Sequence, residues 1–393
     1  MSLVKSLRKL FGVGLVLLAV GCAPAAGTST PLPSVPTLPP PMPTTPPVQN
    51  TPAPAATVKR IIGQSLSVDT SGLYSLAFTP DGNTLVSASH ASDGLTIALW
   101  NVATVQPIYM GRDLSHYDDG MALSPDGKLL AYGICGAPEY WGCPQYKIIL
   151  WDMATHQPSG QPLIFDVGAP APLDLLFSPD GKALAVMNSV TTGSGIVQLF
   201  DITTRQPIAK PLGGKVQFCS MAFSPDGNMA LGVPGGEILI WGAKEGAVLK
   251  DLKGEGLWVD NLAFSPDGKT LASHTSFPLT TGTGQKLVLW DLGTQQPIGQ
   301  PLMSQITPGA IATGITFSPD GKTLASIDEK GAITLWDVAT RQPIGQPLMG
   351  QSTTGGVGVT TSLAFSPDGK TLASGADDGT ITLWDLAASS HGP

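Results

Sequence analysis

From residue 73 onward the chain repeats one short pattern of apolar and polar positions. An apolar run such as Leu363-Ala364-Phe365 meets a polar tetrad, Ser366-Pro367-Asp368-Gly369, and a second run, Thr371-Leu372-Ala373-Ser374, follows. An alternating stretch then ends on an aromatic and a polar residue, as in Thr380-Ile381-Thr382-Leu383-Trp384-Asp385. Short runs of this kind, rich in Val, Ile, Leu, Thr and aromatics, predict strands and not paired helices. The tetrad predicts the turn between them. Pro presets the first central φ, Asp tolerates the bridge region, and Gly supplies the positive φ that closes a tight hairpin.

The tetrad begins at Thr79, Ser124, Ser178, Ser224, Ser265, Ser318 and Ser366, with successive prolines 41 to 54 residues apart. The matching strand ends are Trp100-Asn101, Trp151-Asp152, Phe200-Asp201, Trp241-Gly242, Trp290-Asp291, Trp336-Asp337 and Trp384-Asp385. Self-similarity at this period marks a propeller or a solenoid, and short strands select the propeller. A fourth run, Arg341-Gln342-Pro343-Ile344-Gly345-Gln346-Pro347-Leu348, has close copies beginning at Gln157, Gln206 and Gln296. Two prolines in one strand fit only a sheet edge, where their missing N–H groups face solvent. The expected fold is therefore all-β, with seven four-stranded blades whose Pro-bearing strands lie outermost. After Trp384-Asp385 only eight residues remain, too few for an outer strand. The free run from Val58 to Leu66 is expected to complete the last blade and close the ring.

This repeat resembles the WD-repeat (WD40) β-propeller over residues 73 to 386. The resemblance implies a non-catalytic platform for protein partners. The Gly-His pair of that family is missing throughout, and His116 lies out of register, so its buried Asp-His-Ser-Trp network is expected to be incomplete. Ser374, Asp378 and Trp384 supply three of its members, in the last repeat only. Pro-Asp-Gly propellers of the bacterial periplasm share the turn.

The N-terminal segment follows another pattern. Lys5, Arg8 and Lys9 precede an apolar run from Leu10 to Val20, too short to span a bilayer. Leu18-Ala19-Val20-Gly21-Cys22 resembles the lipobox of bacterial lipoproteins, with Ala19 where that family usually has Leu. The resemblance implies cleavage after Gly21 and lipid on the Cys22 thiol; an ordinary cleaved signal with an incidental Cys is the other reading. Residues 23 to 57 carry twelve prolines among Thr, Ser and Ala and no charged side chain. Such a stretch favours extended polyproline geometry and suits a spacer, a Pro-rich recognition ligand being the alternative. The expected organisation is a signal at 1–21, lipid-bearing Cys and spacer at 22–57, and the propeller at 58–393.

Composition sharpens this only in places. The 47 Gly and 36 Pro follow from turns, edge strands and spacer. Only 13% of residues are charged and the formal net charge is −8, which argues against a nucleic-acid partner. No metal-ligand spacing, phosphate loop or nucleophile motif is present, so neither a cofactor nor catalysis is expected.

Within each blade, the Ser-Pro-Asp-Gly and Ala-Thr-Arg-Gln-Pro turns share one rim and are nearly uniform. The other two connections open on the opposite rim and vary in length. Loops displayed by a rigid scaffold are where binding usually resides, the rival being drift. The candidate surface there comprises His116, Tyr117, Glu139, Tyr140, Trp141, Tyr146, Trp258 and Phe277. Exposed aromatics anchor protein partners and stack on sugars, so glycan or cell-wall binding is a second reading, and a propeller enzyme using this face a third. Self-packing of Tyr140, Trp141 and Tyr146 over the blade rim is equally compatible with the sequence. Cys135 and Cys143 flank one long loop, where a disulfide or two free thiols would fit. Cys219, in an inner-strand run, reads as a small buried hydrophobe. The expected molecule is a monomeric propeller held by lipid to the outer side of a bacterial membrane.

Overall fold

The computed structural model describes residues 61–62, 70–91, 94–113, 120–135, 145–166, 173–188, 195–208, 210–213, 217–243, 246–254, 256, 258–276, 285–302, 314–327, 332–349, 360–376 and 379–386. These residues form seven antiparallel sheets and no helix. Blades 1 to 6 occupy residues 70–113, 121–166, 173–213, 220–252, 258–297 and 314–349. Blade 7 joins residues 360–385 to the N-terminal pair Ile61–Ile62.

The turn chemistry is repeated almost atom for atom. In blade 5 the Ser265 Oγ donates to Asp267 Oδ1 at 2.7 Å, and the Gly268 N–H donates to the Ser265 carbonyl at 2.9 Å. The Thr270 N–H then donates to Ser265 Oγ at 2.9 Å, so one hydroxyl ties both ends of the loop. Gly268 has φ +68, a conformation costly for any side chain with a Cβ. The strand-end Asp opens a second device: Asp337 Oδ1 accepts the Thr340 N–H and hydroxyl at 2.6 and 2.8 Å. The backbone then turns left-handed at the next residue, with Val105, His156, Arg205, Gln295 and Arg341 at φ +56 to +61. Blade 4 has Gly246 there, the residue suited to that conformation.

No blade has a core of its own; the core lies in the seams. Seven apolar clusters occur among the described residues, and each draws side chains from two neighbouring blades around the ring. The strand-end aromatic of each blade fills the seam with the preceding one. Trp151 packs with Val86 and Ile97 of blade 1, Phe200 with Ile148 and Leu163 of blade 2, and Trp384 with Ile333 and Leu335 of blade 6. Trp100 closes the circle against Ile381 and Leu383 of blade 7. A blade alone would leave both apolar faces in water, so stacking is what makes the repeat fold.

Ring closure follows the sequence expectation. Ile61 pairs with Leu383 and Ile62 with Thr382, antiparallel, so the chain's start forms the outer strand of the last blade. The outer strands of the other blades lie at sheet edges, as their prolines require. They are more broken than expected. In blade 5 Pro297 faces Trp290 and the Ile298 N–H reaches the Leu289 carbonyl, but pairing resumes only at Leu302 opposite Leu287. In blade 2 the outer strand divides into Gln157–Pro158 and Leu163–Asp166, both on Gln145–Asp152. The intervening Gly-Gln-Pro residues leave the ladder because a second Pro cannot donate to it. Two blades keep a long outer strand: Gln106–Asp113 in blade 1, where Tyr-Met-Gly replaces that segment, and Ala247–Leu252 in blade 4.

Candidate binding faces

The two rims differ in what their side chains are already doing. On the uniform rim the turn carboxylates are committed to their own loops. Asp126, Asp180, Asp267, Asp320 and Asp368 each accept the turn serine hydroxyl and the N–H two residues on. The serine hydrogen bond, first, and the backbone N–H hold these carboxyls below the usual carboxylate range. A lysine two residues on stands 3.2 to 3.9 Å from each, and the pairs are well exposed. Such exposed pairs contribute little to stability, but they leave no bare acidic ring for a cation. Among the described residues no three His, Cys, Asp or Glu side chains come together as a metal site.

Farther out on the same rim the left-handed residues reach across the seams. Arg205 Nη1 donates to the Gln161 carbonyl of blade 2 at 2.7 Å, and Arg341 Nη1 to the Ile298 carbonyl of blade 5 at 3.0 Å. Both guanidinium groups lie where a Cβ on Gly160 or Gly299 would stand. Tyr109 occupies the equivalent position in blade 1, and there the clasp is aromatic: His156 stacks on Trp151 at 5.3 Å between ring centroids and meets Tyr109 at 4.3 Å. In the sequence these residues read as uniform turns, and the clasp does not show. The available signal was the pairing of Arg in one repeat with Gly in the repeat before it.

The Trp-Ser half of the buried network is more widespread than the sequence suggested. Trp100, Trp290, Trp336 and Trp384 donate through Nε1 to Ser87, Ser273, Ser326 and Ser374 at 2.8 to 3.0 Å. The pair therefore recurs in four blades and not in the last alone. Each serine stands eight residues after its tetrad begins, a regularity visible in the sequence; strand pairing is what sets that hydroxyl beside the indole N–H. Blade 5 adds a buried His274 whose Nδ1 lies 3.6 Å from Asp260 Oδ2.

The variable rim corrects part of the candidate surface. Tyr146 is 2% exposed and packs with Ile148, Leu163 and Phe165 in the seam between blades 2 and 3. Trp258 is 9% exposed. Both belong to strands, where the pleat turns them inward, so neither is an exposed anchor. Cys135 ends the second strand of blade 2, its backbone opposite Tyr146, at the mouth of the long loop. Cys219 is of intermediate exposure beside the inner strand of blade 4, less buried than its sequence context suggested. His116, Tyr117, Glu139, Tyr140, Trp141, Phe277, Cys143 and Cys22 lie outside the described residues. On the described part of this rim, the blade 4 turn at 234–237 carries Glu237, which with Asp251 flanks Lys253 at 2.7 and 2.6 Å. The Asp251 and Glu237 hydrogen bonds raise the Lys253 ammonium above its ordinary range.

Comparison with known proteins agrees with this geometry. The family model described as "WD domain, G-beta repeat" matches residues 61–101 and 346–385. The chain resembles the WD40 repeat proteins. It is 26% identical over 268 residues to apoptotic protease-activating factor 1 of Rattus norvegicus, covering 66% of this chain and 19% of that protein. Telomerase protein component 1 of the same organism is 27% identical over 257 residues, covering 65% of this chain and 8% of that protein. An uncharacterized WD repeat-containing protein of Synechocystis sp. is 27% identical over 147 residues, 37% of this chain and 38% of that protein. The chain thus spans about a fifth or less of the two mammalian relatives' length.

Proposed function

We propose that this protein is an exported, lipid-anchored propeller that serves as a non-catalytic scaffold for protein partners through its variable rim. The observation that carries this reading is the division of labour between the rims. The uniform rim spends its carboxylates and hydroxyls on its own turns, while length and composition vary on the opposite side. WD40-type relatives support a binding role, and one is by name a component of a larger assembly. The path of the chain fits a tether. Ile61–Ile62 runs antiparallel to Ile381–Asp385, whose end lies on the uniform rim, so Ile61 is the nearer of the pair to that side. A spacer leading back to Cys22 joins the propeller on the face away from the variable connections and leaves them free. Residues 23 to 57, at about 3.1 Å per residue if extended, reach on the order of 100 Å.

Cross-linking of the tethered protein in its own cells, followed by mass spectrometry, tests the reading. Recurrent protein cross-links from the variable rim are expected, lost on replacing Tyr140 and Trp141 by alanine with folding intact. Cross-links confined to the uniform rim would overturn it, and retention of a peptidoglycan ligand without protein cross-links would favour glycan binding instead. The anchor is tested separately with a palmitate analogue, which is expected to label the wild type and not Cys22→Ala.

A further inference from the structure

The Asp-Gly turn of blade 4 differs from its six counterparts. In those six, pairing resumes seven residues after the end of the inner strand, as from Phe264 to Leu271 and from Phe317 to Leu324. In blade 4 Phe223 faces Met229, six residues on, so the loop is one residue shorter. What is missing is the residue that Thr270 or Thr323 supplies elsewhere, whose N–H donates to the turn serine Oγ at 2.9 Å. The Ser224 N–H therefore reaches the Asn228 carbonyl, four residues on, where its counterparts reach a carbonyl five residues on, and the Ser224 Oγ lies 2.9 Å from the same oxygen.

This bears on the covalent chemistry of Asp-Gly bonds. The glycine amide nitrogen can attack the aspartate Cγ, forming a C–N bond and a five-membered succinimide while a carboxyl oxygen leaves as water. Water then adds back. Opening at the α-carbonyl moves the chain onto the β-carboxyl and leaves isoaspartate; opening at the other carbonyl restores aspartate. Atoms balance without any other reactant, and glycine is the most permissive following residue because it has no side chain to shield its nitrogen.

Three features oppose this reaction in the long loops. The glycine N–H is held by the Ser or Thr carbonyl at 2.8 to 2.9 Å. The carboxylate is pinned by the turn hydroxyl and by the next backbone N–H at 3.0 to 3.1 Å. The proline of the preceding blade's turn is packed over the glycine, its Cδ 2.6 to 3.6 Å from where a Cβ would stand. In blade 4 the first feature remains, with Gly227 bonded to the Ser224 carbonyl at 2.9 Å. The backbone grip on Asp226 lengthens to 3.4 Å. The covering proline is gone, with nothing within 4 Å of a Cβ on Gly227, and its φ is +88 against +68 to +71 elsewhere. The carboxylate is left to side-chain donors, the Ser224 hydroxyl and Asn228 Nδ2.

We propose that Asp226-Gly227 is the turn bond that converts to isoaspartate as the folded protein ages, and that the longer loops hold the other six. The chain contains its own control. Asp81-Gly82-Asn83 has the same three residues as Asp226-Gly227-Asn228, but in the longer loop and under Pro367. Folded protein is incubated near neutral pH at physiological temperature for weeks, digested, and mapped for isoaspartate by mass spectrometry at each turn. Conversion at Asp226 is expected to run about tenfold ahead of Asp81, a barrier difference of ~1.4 kcal/mol. In urea-unfolded chain the two sites are expected to convert alike. A variant with Thr inserted between Asn228 and Met229, restoring the loop, is expected to bring Asp226 down to the Asp81 rate. Equal rates at the two sites in the folded wild type would overturn the proposal, as would an Asp226 lead that persists in urea.

Discussion

Replacing Ser326 by alanine removes the acceptor of a buried indole N–H and leaves everything else in place. Trp336 Nε1 donates to Ser326 Oγ at 3.0 Å, and the two residues are 2% and 5% exposed in the seam region between blades 5 and 6. No solvent replaces the hydroxyl there, so the variant carries an unsatisfied donor at ~1–3 kcal/mol. Two blades show what offsets such a loss. In blade 4 Leu231 stands in the serine's place and the Trp241 N–H has no partner among the described residues. Burying that Leu contributes ~1.5–3 kcal/mol, similar to the orphan's cost. In blade 3 both partners are apolar, Phe200 with Val186, a replacement that is close to neutral. Ser326→Ala should therefore lower the unfolding free energy by ~1–3 kcal/mol, and Ser326→Val by less. A double-mutant cycle with Trp336→Phe should return a coupling energy of ~1–2 kcal/mol. Urea unfolding followed by circular dichroism measures these as midpoint shifts at constant slope. If Ser326→Ala unfolds with the wild-type midpoint, or the cycle shows no coupling, the hydrogen bond does not stabilise the seam.

Val105 is β-branched yet sits at φ +57, so Val105→Gly should raise the thermal midpoint, with a net gain of about 0.5–1 kcal/mol once glycine's chain entropy is counted. A Cβ on Gly299 would lie 1.3 Å from Arg341 Nη1; Gly299→Ala should displace the clasp and cost ~1–2 kcal/mol, with less than additive loss in combination with Arg341→Ala in urea titrations. Deleting residues 58–66 removes the Ile61–Ile62 pairing and exposes the edge of Ile381–Asp385, so the melting temperature should fall sharply; an unchanged value would refute closure by this strand. The turn carboxyls titrate lower folded than unfolded, so their stabilisation is present above the unfolded value and lost as pH falls through the folded one. Stability measured by urea titration should be flat near neutrality on their account and should decline below about pH 4.

Much of this molecule was legible in its residues because the repeat is local. A Ser-Pro-Asp-Gly tetrad dictates a hairpin wherever it occurs, and seven of them with seven strand ends leave a propeller as the only tidy arrangement. Even ring closure could be read, from a strand lacking at one end and a spare one at the other. What could not be read depends on neighbours far along the chain. Tyr146 and Trp258 looked like loop aromatics, yet the pleat of their strands turns them into the fold. The serine partners of four tryptophans stand at one fixed place after each tetrad, but only strand pairing brings their hydroxyls to the indole N–H groups. The Arg205 and Arg341 clasps require a seam between two repeats, which no single repeat describes.

The sequence by itself therefore determined the period, the strands, the turns, the blade count and the closing strand, since each follows from residues within one repeat or at the chain's ends. The tertiary structure decided where the core lies and which side chains are spent on it. A blade has two apolar faces and cannot bury either alone, so its tryptophan, its clasp and even the shielding of its Asp-Gly bond are completed by the blade beside it.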